Sequence, residues 1–561
     1  MRLELFTSST TTSLLYGLII NRPERFVKRG KQKKFKFFSE ELPGRILATD
    51  AELYKSMVVV TVFLFFTNTL AMRRGPSMEV TAVAQLRRMV LEHLSRYTWN
   101  DVLIDHVYDI LQEVREDTPR YRCCVYKERA VLKNRIDMAL GQDCKENIIE
   151  ASKKTLFEPE RKDLPIIDVL PAACDQCPID AYYVTDVCRH CIAHKCMNNC
   201  PKKAISLVQN RAFIDRDKCI ECGRCKQVCP YGAIIEIHRP CVRACGVGAI
   251  SIGDDRKAKI DYNKCVTCGA CRNACPFGAI DERSNIVRVI KSIKSGKQVV
   301  GLVAPSIVGQ YGLKITMGQV YAAMKKAGFD EIIEVGMGAD ITSVKEAREY
   351  IEKVPRELSF MTSSCCPAFV KLVKTHVPEA ARHVSETDSP MMSTVRYVRN
   401  LFPDAVLVFV GPCIAKKNEV REHSDFIDFA MTFEELQCML EGKDIKFADM
   451  DPYEFEREAS KLGLGYPLTA GVTTAVKETV AALGGEVRQA VYASGLDNCF
   501  KTVKQAKDGR IDCSYIEGMA CPNGCIDGPG AVGDFHITKV ALTKYANAAP
   551  NQEALDKKHT K

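Results

Sequence analysis

The chain has 561 residues, 27 cysteines, one tryptophan and a formal net charge of +9. At about 150 residues per domain this length predicts three to four domains, enough for at least one large core. With 46% hydrophobic and 27% charged residues, it is excluded from the disordered, collagenous and multi-span membrane classes. Disulfide-stapled secreted scaffolds are usually small, so this many thiols in a long chain read as metal ligands in a reducing compartment. The expected location is therefore cytoplasmic.

Residues 1–77 carry 13 Lys/Arg against 6 Asp/Glu and no cysteine, leaving about +2 for the remainder, so nucleic-acid binding is not implied. A basic stretch runs over 21–38. An apolar run, Met57–Met72, follows; at sixteen residues it is shorter than a spanning helix requires. An organelle leader and a single anchor are the alternatives to the preferred reading, a leader or over-extended start with the folded chain beginning at Met78. From Met78 to about Thr118 the pattern is helical. Val83, Leu86, Met89, Val90 and Leu94 share a face, and a break falls near Trp99–Asn100. Domains are expected at 1–77, 78–170 (helical), 171–282 (cysteine-rich) and 283–561 (α/β).

The segment 171–282 holds 16 of the 27 cysteines. Cys219, Cys222, Cys225 and Cys229 read C-x2-C-x2-C-x3-C-P, and Cys265, Cys268, Cys271 and Cys275 repeat it. This is the bacterial ferredoxin run, whose fourth cysteine ligates the other cluster. Cys188, Cys191, Cys196 and Cys200 form a variant with two extra residues, and Cys241-x3-Cys245 is a half-motif. The repeats Cys200-PKKAIS, Cys229-PYGAII, Cys245-GVGAIS and Cys275-PFGAID argue for tandem α+β ferredoxin-like units. Structural zinc, with His190 and His194 as ligands, is the alternative. Cross-ligation assigns one 4Fe–4S cluster to Cys188, Cys191, Cys196 and Cys229. A second falls to Cys219, Cys222, Cys225 and Cys200, and a third to Cys265, Cys268, Cys271 and Cys245. Cys174, Cys177, Cys241 and Cys275 remain, enough by number for a fourth. Cys123, Cys124, Cys144, Cys438, Cys499 and Cys513 fit no ligand pattern and read as structural.

From about 297, strands alternate with helices: Val299–Val303, Glu331–Val335, Leu358–Met361 and Ala405–Val410 as strands, Met317–Ala327 and Val344–Val354 as helices. This predicts mostly parallel sheets flanked by helices, with sites beyond the strands' carboxyl ends. Three of the strands run into Ala304-Pro305-Ser306, Thr362-Ser363-Ser364-Cys365-Cys366-Pro367 and Gly411-Pro412-Cys413. A fourth motif, Glu517-Gly-Met-Ala-Cys521-Pro-Asn-Gly-Cys525, lies in a turn-rich stretch.

The segments TSSCCPAF (362–369), GPCIAKKNE (411–419) and EGMACPNGCIDG (517–528), in this order behind a ferredoxin module, resemble the three signatures of iron–iron (FeFe) hydrogenases. The helical start resembles the short non-standard bacterial branch. The resemblance implies that Cys366, Cys413, Cys521 and Cys525 hold the 4Fe–4S half of an H-cluster, whose two-iron subsite carries CO, CN and an azadithiolate bridge. It implies that Cys365 relays protons, that Lys416, Ser306 and the backbone at Pro305 face the cyanides, and that Met519 packs over the two-iron unit. Cys365, Glu346, Ser385 and Glu349 would carry protons outward; without the resemblance, Glu346 and Glu349 are an ordinary i, i+3 pair on a solvated helix face. The implied activity is reversible reduction of protons to H2, with three accessory clusters or four, a ferredoxin as electron partner and maturation proteins for assembly. No membrane or nicotinamide role is expected. The alternatives are a non-catalytic hydrogenase-like protein of iron–sulfur assembly and an H2 sensor. Three departures, Gly411 for methionine, Phe369 for tryptophan and Gly528-Pro529-Gly530 for a Gly-Gly-Gly ending, are expected to loosen or reshape the pocket.

Overall fold

The computed structural model describes residues 81–113, 121–175, 177 and 181–549. The readings for residues 1–77 and for Val114–Thr118 lie outside them. The first described helix, Ala82–Trp99, starts where the Thr81 hydroxyl accepts from the Ala84 N–H at 3.3 Å, which satisfies one of the helix's free donors. It buries Val90, Leu91 and Leu94 and packs on the helices Ile286–Lys294 and Phe433–Glu441. After the break at Asn100 the chain makes two single turns, Leu103–His106 and Asp109–Gln112, in place of one continuing helix. Helices Val125–Ala139 and Ile148–Phe157 complete this part.

The cysteine-rich part is built on eight short strands: β1 Ile167–Val169, β2 Tyr182–Val184, β3 Ile205–Val208, β4 Arg211–Ile214, β5 Ile234–Glu236, β6 Ile250–Ile252, β7 Ala258–Ile260 and β8 Ile280–Glu282. All pair antiparallel in twos: β1 with β8, β2 with β5, β3 with β4 and β6 with β7. The β3–β4 hairpin closes over Gln209 and Asn210, both at positive φ, the twist a two-residue turn demands.

The remainder carries two parallel sheets. Strands β9 Val299–Val303, β10 Glu331–Glu334, β11 Met361–Thr362, β12 Val406–Val410, β13 Phe429–Met431, β14 Ala490–Ser494 and β15 Tyr515–Met519 form the orders β10-β9-β12-β13 and β11-β15-β14. β9 (VVGLV) and β12 (VLVFV) are buried throughout, as central strands covered on both faces must be. Their ends are level: Val303 pairs with Val410, so the loops Ala304-Pro305-Ser306 and Gly411-Pro412-Cys413 leave side by side.

Three expectations shift. The strand expected at Leu358–Met361 is confined to Met361–Thr362. The third signature, read as turns, begins inside β15 with Glu517, Gly518 and Met519, so Ala520 and Cys521 also leave a strand's carboxyl end. The helix expected at 344–354 spans Gly336–Lys353, so Gly338, Ala339 and Asp340 lie inside it. Glycine is needed there because a Cβ on Gly338 would stand 2.1 Å from Thr394 Oγ1 and 2.2 Å from the Pro390 carbonyl. The helix Pro390–Leu401 presses directly on its backbone. Among the described residues no helix is long and apolar enough to cross a membrane.

Candidate metal centre

Four loops converge at the carboxyl ends of β9, β11, β12 and β15, and specific bonds tie them together. The Gly518 N–H donates to Ser363 Oγ at 3.1 Å, joining the first and third signatures. The Gly530 N–H donates to the Pro412 carbonyl at 2.8 Å, joining the second and third. Gln310, which the sequence reading missed, joins the fourth. Its Nε2 donates to the Ser306 and Ile526 carbonyls at 3.0 and 3.1 Å, and its Oε1 accepts from the Val532 and Gly533 N–H groups. A buried amide using all four of these partners is a rigid clamp.

Cys366, Cys413, Cys521 and Cys525 lie within electrostatic reach of one another here. Burial pushes the Cys413 thiol up to about 12, with the Cys366 thiol adding to it. Cys521 and Cys525 are raised by burial and then by their cysteine neighbours. All four keep some accessible surface while lying deep in the domain, the condition of side chains around an internal space. Thiols so placed ionise only against a cation, a charge that iron would supply. Among the described residues no three His, Cys, Asp or Glu side chains converge on a point for a single metal ion. A four-iron cube takes one thiolate per iron, so its cysteines stand apart.

The surrounding residues fit such a group. Lys416 is buried; its Nζ donates to Glu419 Oε2 at 2.6 Å and Ser389 Oγ at 2.8 Å. Burial alone would lower its pKa, but Glu419 and the thiols of Cys413 and Cys365 raise it, so it stays charged. Ser306 is buried, and its Oγ has no protein partner, an orphan hydroxyl suited to an anionic ligand. Pro305 is buried beside Gly336. Met519 is buried in the apolar cluster against which Cys365 packs.

The residues named for proton transfer fall into two groups. Glu346 is fully buried. Its Oε1 accepts from the Tyr515 hydroxyl at 3.0 Å, and its Oε2 has no partner. Burial raises it to about 8, against the Tyr515 hydrogen bond. Burial first and then Glu346 raise Cys365. Nearer the surface, Glu349 accepts from Ser385 Oγ at 2.6 Å and Thr387 Oγ1 at 3.1 Å and pairs with Lys353 at 3.0 Å. Burial would raise Glu349, but the Ser385 hydroxyl, the Glu386 N–H and Lys353 outweigh it and lower its pKa. The solvated-face reading thus fails for Glu346. Tyr515 was overlooked because a strand tyrosine looks like ordinary core.

Two glycines of the signatures lie against phenyl rings. A Cβ on Gly411 would meet the Phe409 ring at 2.5 Å, and one on Gly518 would meet the Phe369 ring at 2.3 Å. Two phenyl rings fill what the glycines leave open.

Cys268 packs in the same apolar cluster as Cys366 and Cys413, so the loop of Cys265, Cys268 and Cys271, with Cys245 nearby, faces the four-cysteine set. Cys188 and Cys196 pack with Cys200 and Cys225 around Ile205 and Ile234. Cys229 is among the thiols near Cys196. A cavity is lined by Cys200, Cys219, Cys222 and Cys225.

Residues 297–529 match the family described as iron only hydrogenase large subunit, C-terminal domain. Residues 212–235 and 258–281 match the 4Fe-4S binding domain. Iron hydrogenase 1 of Clostridium pasteurianum is 28% identical over 413 residues, 63% of this chain and 71% of that protein. The periplasmic Fe hydrogenase large subunit of Nitratidesulfovibrio vulgaris is 28% identical over 56% of this chain and 85% of its own length. A cytosolic Fe-S cluster assembly factor, narfl, of Xenopus tropicalis is 25% identical over 42% of this chain and 62% of that protein. The proteins to which this chain is similar thus include both hydrogenases and assembly factors.

Proposed function

We propose that the chain is an iron–iron hydrogenase that interconverts protons and electrons with H2, exchanging electrons through its ferredoxin units with a soluble ferredoxin-type carrier. The observation that carries this reading is the company of the four-cysteine set: a fifth thiol, Cys365, and a buried charged ammonium, Lys416, in the same enclosure. A site that only stored a 4Fe–4S cube would need neither. Cys366, Cys413, Cys521 and Cys525 would hold the cube of an H-cluster. When bound, the two-iron unit supplies the centre at which protons and electrons combine or H2 is split.

The chain's own residues then have separable tasks. Lys416, held by Glu419 and Ser389, presents a fixed positive charge to an anionic ligand. Ser306 offers a free hydroxyl in a backbone loop clamped by Gln310. Cys365 holds a proton at Sγ inside the enclosure. Glu346, protonated below about pH 8, gives up its own proton outward through Ser385 to Glu349, whose ionised carboxylate sits near solvent, and takes the Cys365 proton in its place. Apolar packing by Phe409, Phe369 and Met519 excludes water and competing side chains.

The test is infrared spectroscopy of protein matured anaerobically with the maturation enzymes, together with hydrogen–deuterium exchange. Carbonyl and cyanide bands with isotope exchange support the reading. Iron–sulfur spectra without those bands assign the chain to the assembly-factor type. Cys365→Ala should keep the bands and lose at least about 10²-fold in turnover; unchanged turnover would remove Cys365 from the proton path.

A further inference from the structure

The two ferredoxin units share one architecture but differ in how the chain builds them. In the first, β2 and β5 form an outer ladder and β3 and β4 a hairpin, with runs of cysteines after β2 and after β4. In the second, β1 and β8 form the outer ladder and β6 and β7 the hairpin. Its second run, Cys265 to Cys275, follows β7. Its first should follow β1. Cys174 does stand five residues after β1, as Cys265 does after β7 and Cys219 after β4. After Cys177, however, the chain leaves to build the whole first unit, β2 to β5, and returns only at Pro240.

What it returns to is the second half of a ferredoxin run. In the two runs of regular C-x2-C-x2-C-x3-C spacing the third cysteine is the second residue of a five-residue helix, and the fourth caps it: Arg224–Val228 with Cys225 and Cys229, Ala270–Ala274 with Cys271 and Cys275. Pro240–Ala244, with Cys241 and Cys245, repeats both placements. The turn after the fourth cysteine agrees too. Lys203, Gly232, Gly248 and Gly278 are each three residues past that cysteine and each at positive φ. The next N–H, of Ala204, Ala233, Ala249 or Ala279, donates to the sulfur of Cys200, Cys229, Cys245 or Cys275 at 3.2–3.4 Å. The turn at Cys245 is therefore that of a cluster ligand. Rejoined across the insertion, Cys174-x2-Cys177 and Cys241-x3-Cys245 complete the missing run.

We propose that Cys174, Cys177, Cys241 and Cys275 hold a fourth accessory 4Fe–4S cluster, formed by a ferredoxin run that is cut after its second cysteine by the insertion of an entire second ferredoxin unit. Cross-ligation gives Cys245 to the neighbouring cluster and takes Cys275 in return. The packing agrees. Cys174 touches the apolar cluster that contains Cys241 and also the one that contains Cys275, and its sulfur accepts from the Ala258 N–H at 3.2 Å, a sulfur contact like those of the other ligands. Cys177 lies within electrostatic reach of Cys174 and Cys275. Cys177 and Cys241 are the last cysteine before the inserted unit and the first after it, so the site lies on the covalent path between the two units.

The test is metal and sulfide analysis of the full chain, reconstituted anaerobically with iron and sulfide and without maturation, so that its outcome is independent of hydrogen chemistry. Five cubes, one of them in the hydrogenase-like domain, require about twenty iron atoms per chain; about sixteen, or zinc in place of the last four, overturns the proposal. Cys177→Ala and Cys241→Ala should each lose about a fifth of the bound iron, while Cys144→Ala loses none. Unchanged iron in the first two also overturns it. Should they fail to fold, the count on the unaltered chain decides.

Discussion

Glu346 is a buried carboxyl group with one oxygen hydrogen-bonded to a phenol and the other without a hydrogen-bond partner. Its pKa is raised from 4.5 to about 8, so the folded chain binds this proton more tightly than the unfolded one. Its contribution to stability is therefore complete below about pH 4.5 and is lost as pH rises towards about 8, by up to roughly 1.4 kcal/mol per unit of pH. Glu346→Gln keeps an acceptor for Tyr515 and removes the titration. Melting curves of the variant should lose that part of the alkaline decline, and turnover of matured protein should fall by about 10²-fold or more, because an amide carries no exchangeable acid proton. A variant that declines with pH as steeply as the parent would show that Glu346 is ionised in the fold. Phe409 and Phe369 belong to the same scale. Each ring lies over a glycine, so a larger residue at Gly411 or Gly518 can enter only if the ring is made smaller as well.

Among the elements, the helix Gly336–Lys353 positions both glutamates, and its depth depends on Gly338. Gly338→Leu would drive a side chain into Thr394 and the Pro390 carbonyl. The expected cost is about 1–3 kcal/mol, read by denaturant unfolding, with a displaced Glu346 lowering turnover as well; a neutral substitution would mean that the two helices are not in contact. This helix also shows what a sequence can convey. Its second half was legible from apolar spacing. Its first half was not, since two glycines in three residues read as a loop unless the helix pressing on them is known. The short strand Met361–Thr362 was misjudged for a related reason: its pairing with β15 is set by a segment some 150 residues away. Cysteine spacing, by contrast, offered nearly every candidate ligand, because three of a cluster's four cysteines stand close together in a ferredoxin run. Only the split run needed the fold, since an insertion separates its halves in the chain and pairing of β1 with β8 reunites them. Gln310 and Tyr515 carried no local signal at all; their roles come from partners brought in by tertiary contacts.

Across the whole molecule, the ferredoxin units and the α/β part are joined by buried charge. Arg272, next to Cys271, donates to Glu434 Oε2 at 2.7 Å, to Asp281 Oδ1 at 3.3 Å and to the Pro529 carbonyl at 2.8 Å. Arg135 also pairs with Asp281, and Arg87 and Arg88 with Glu434. Burial would raise Asp281 and Glu434, but the arginines outweigh it and hold both below the ordinary carboxylate range. One side chain thus connects a cluster loop, the helix Phe433–Glu441 and the end of the third signature. Losing one member of such a network strands the others without water, at a cost of about 3–5 kcal/mol. Arg272→Met should show that loss in denaturant unfolding, and Arg272→Lys should recover little of it, because an ammonium cannot span three acceptors in a fork. Combining Arg272→Met with Glu434→Leu removes both ends of the strongest pair, and the double variant should be less destabilised than the sum of the singles by about 0.5–3 kcal/mol. Strict additivity would mean that Arg272 and Glu434 act independently, and that this pair does not join the two parts of the molecule.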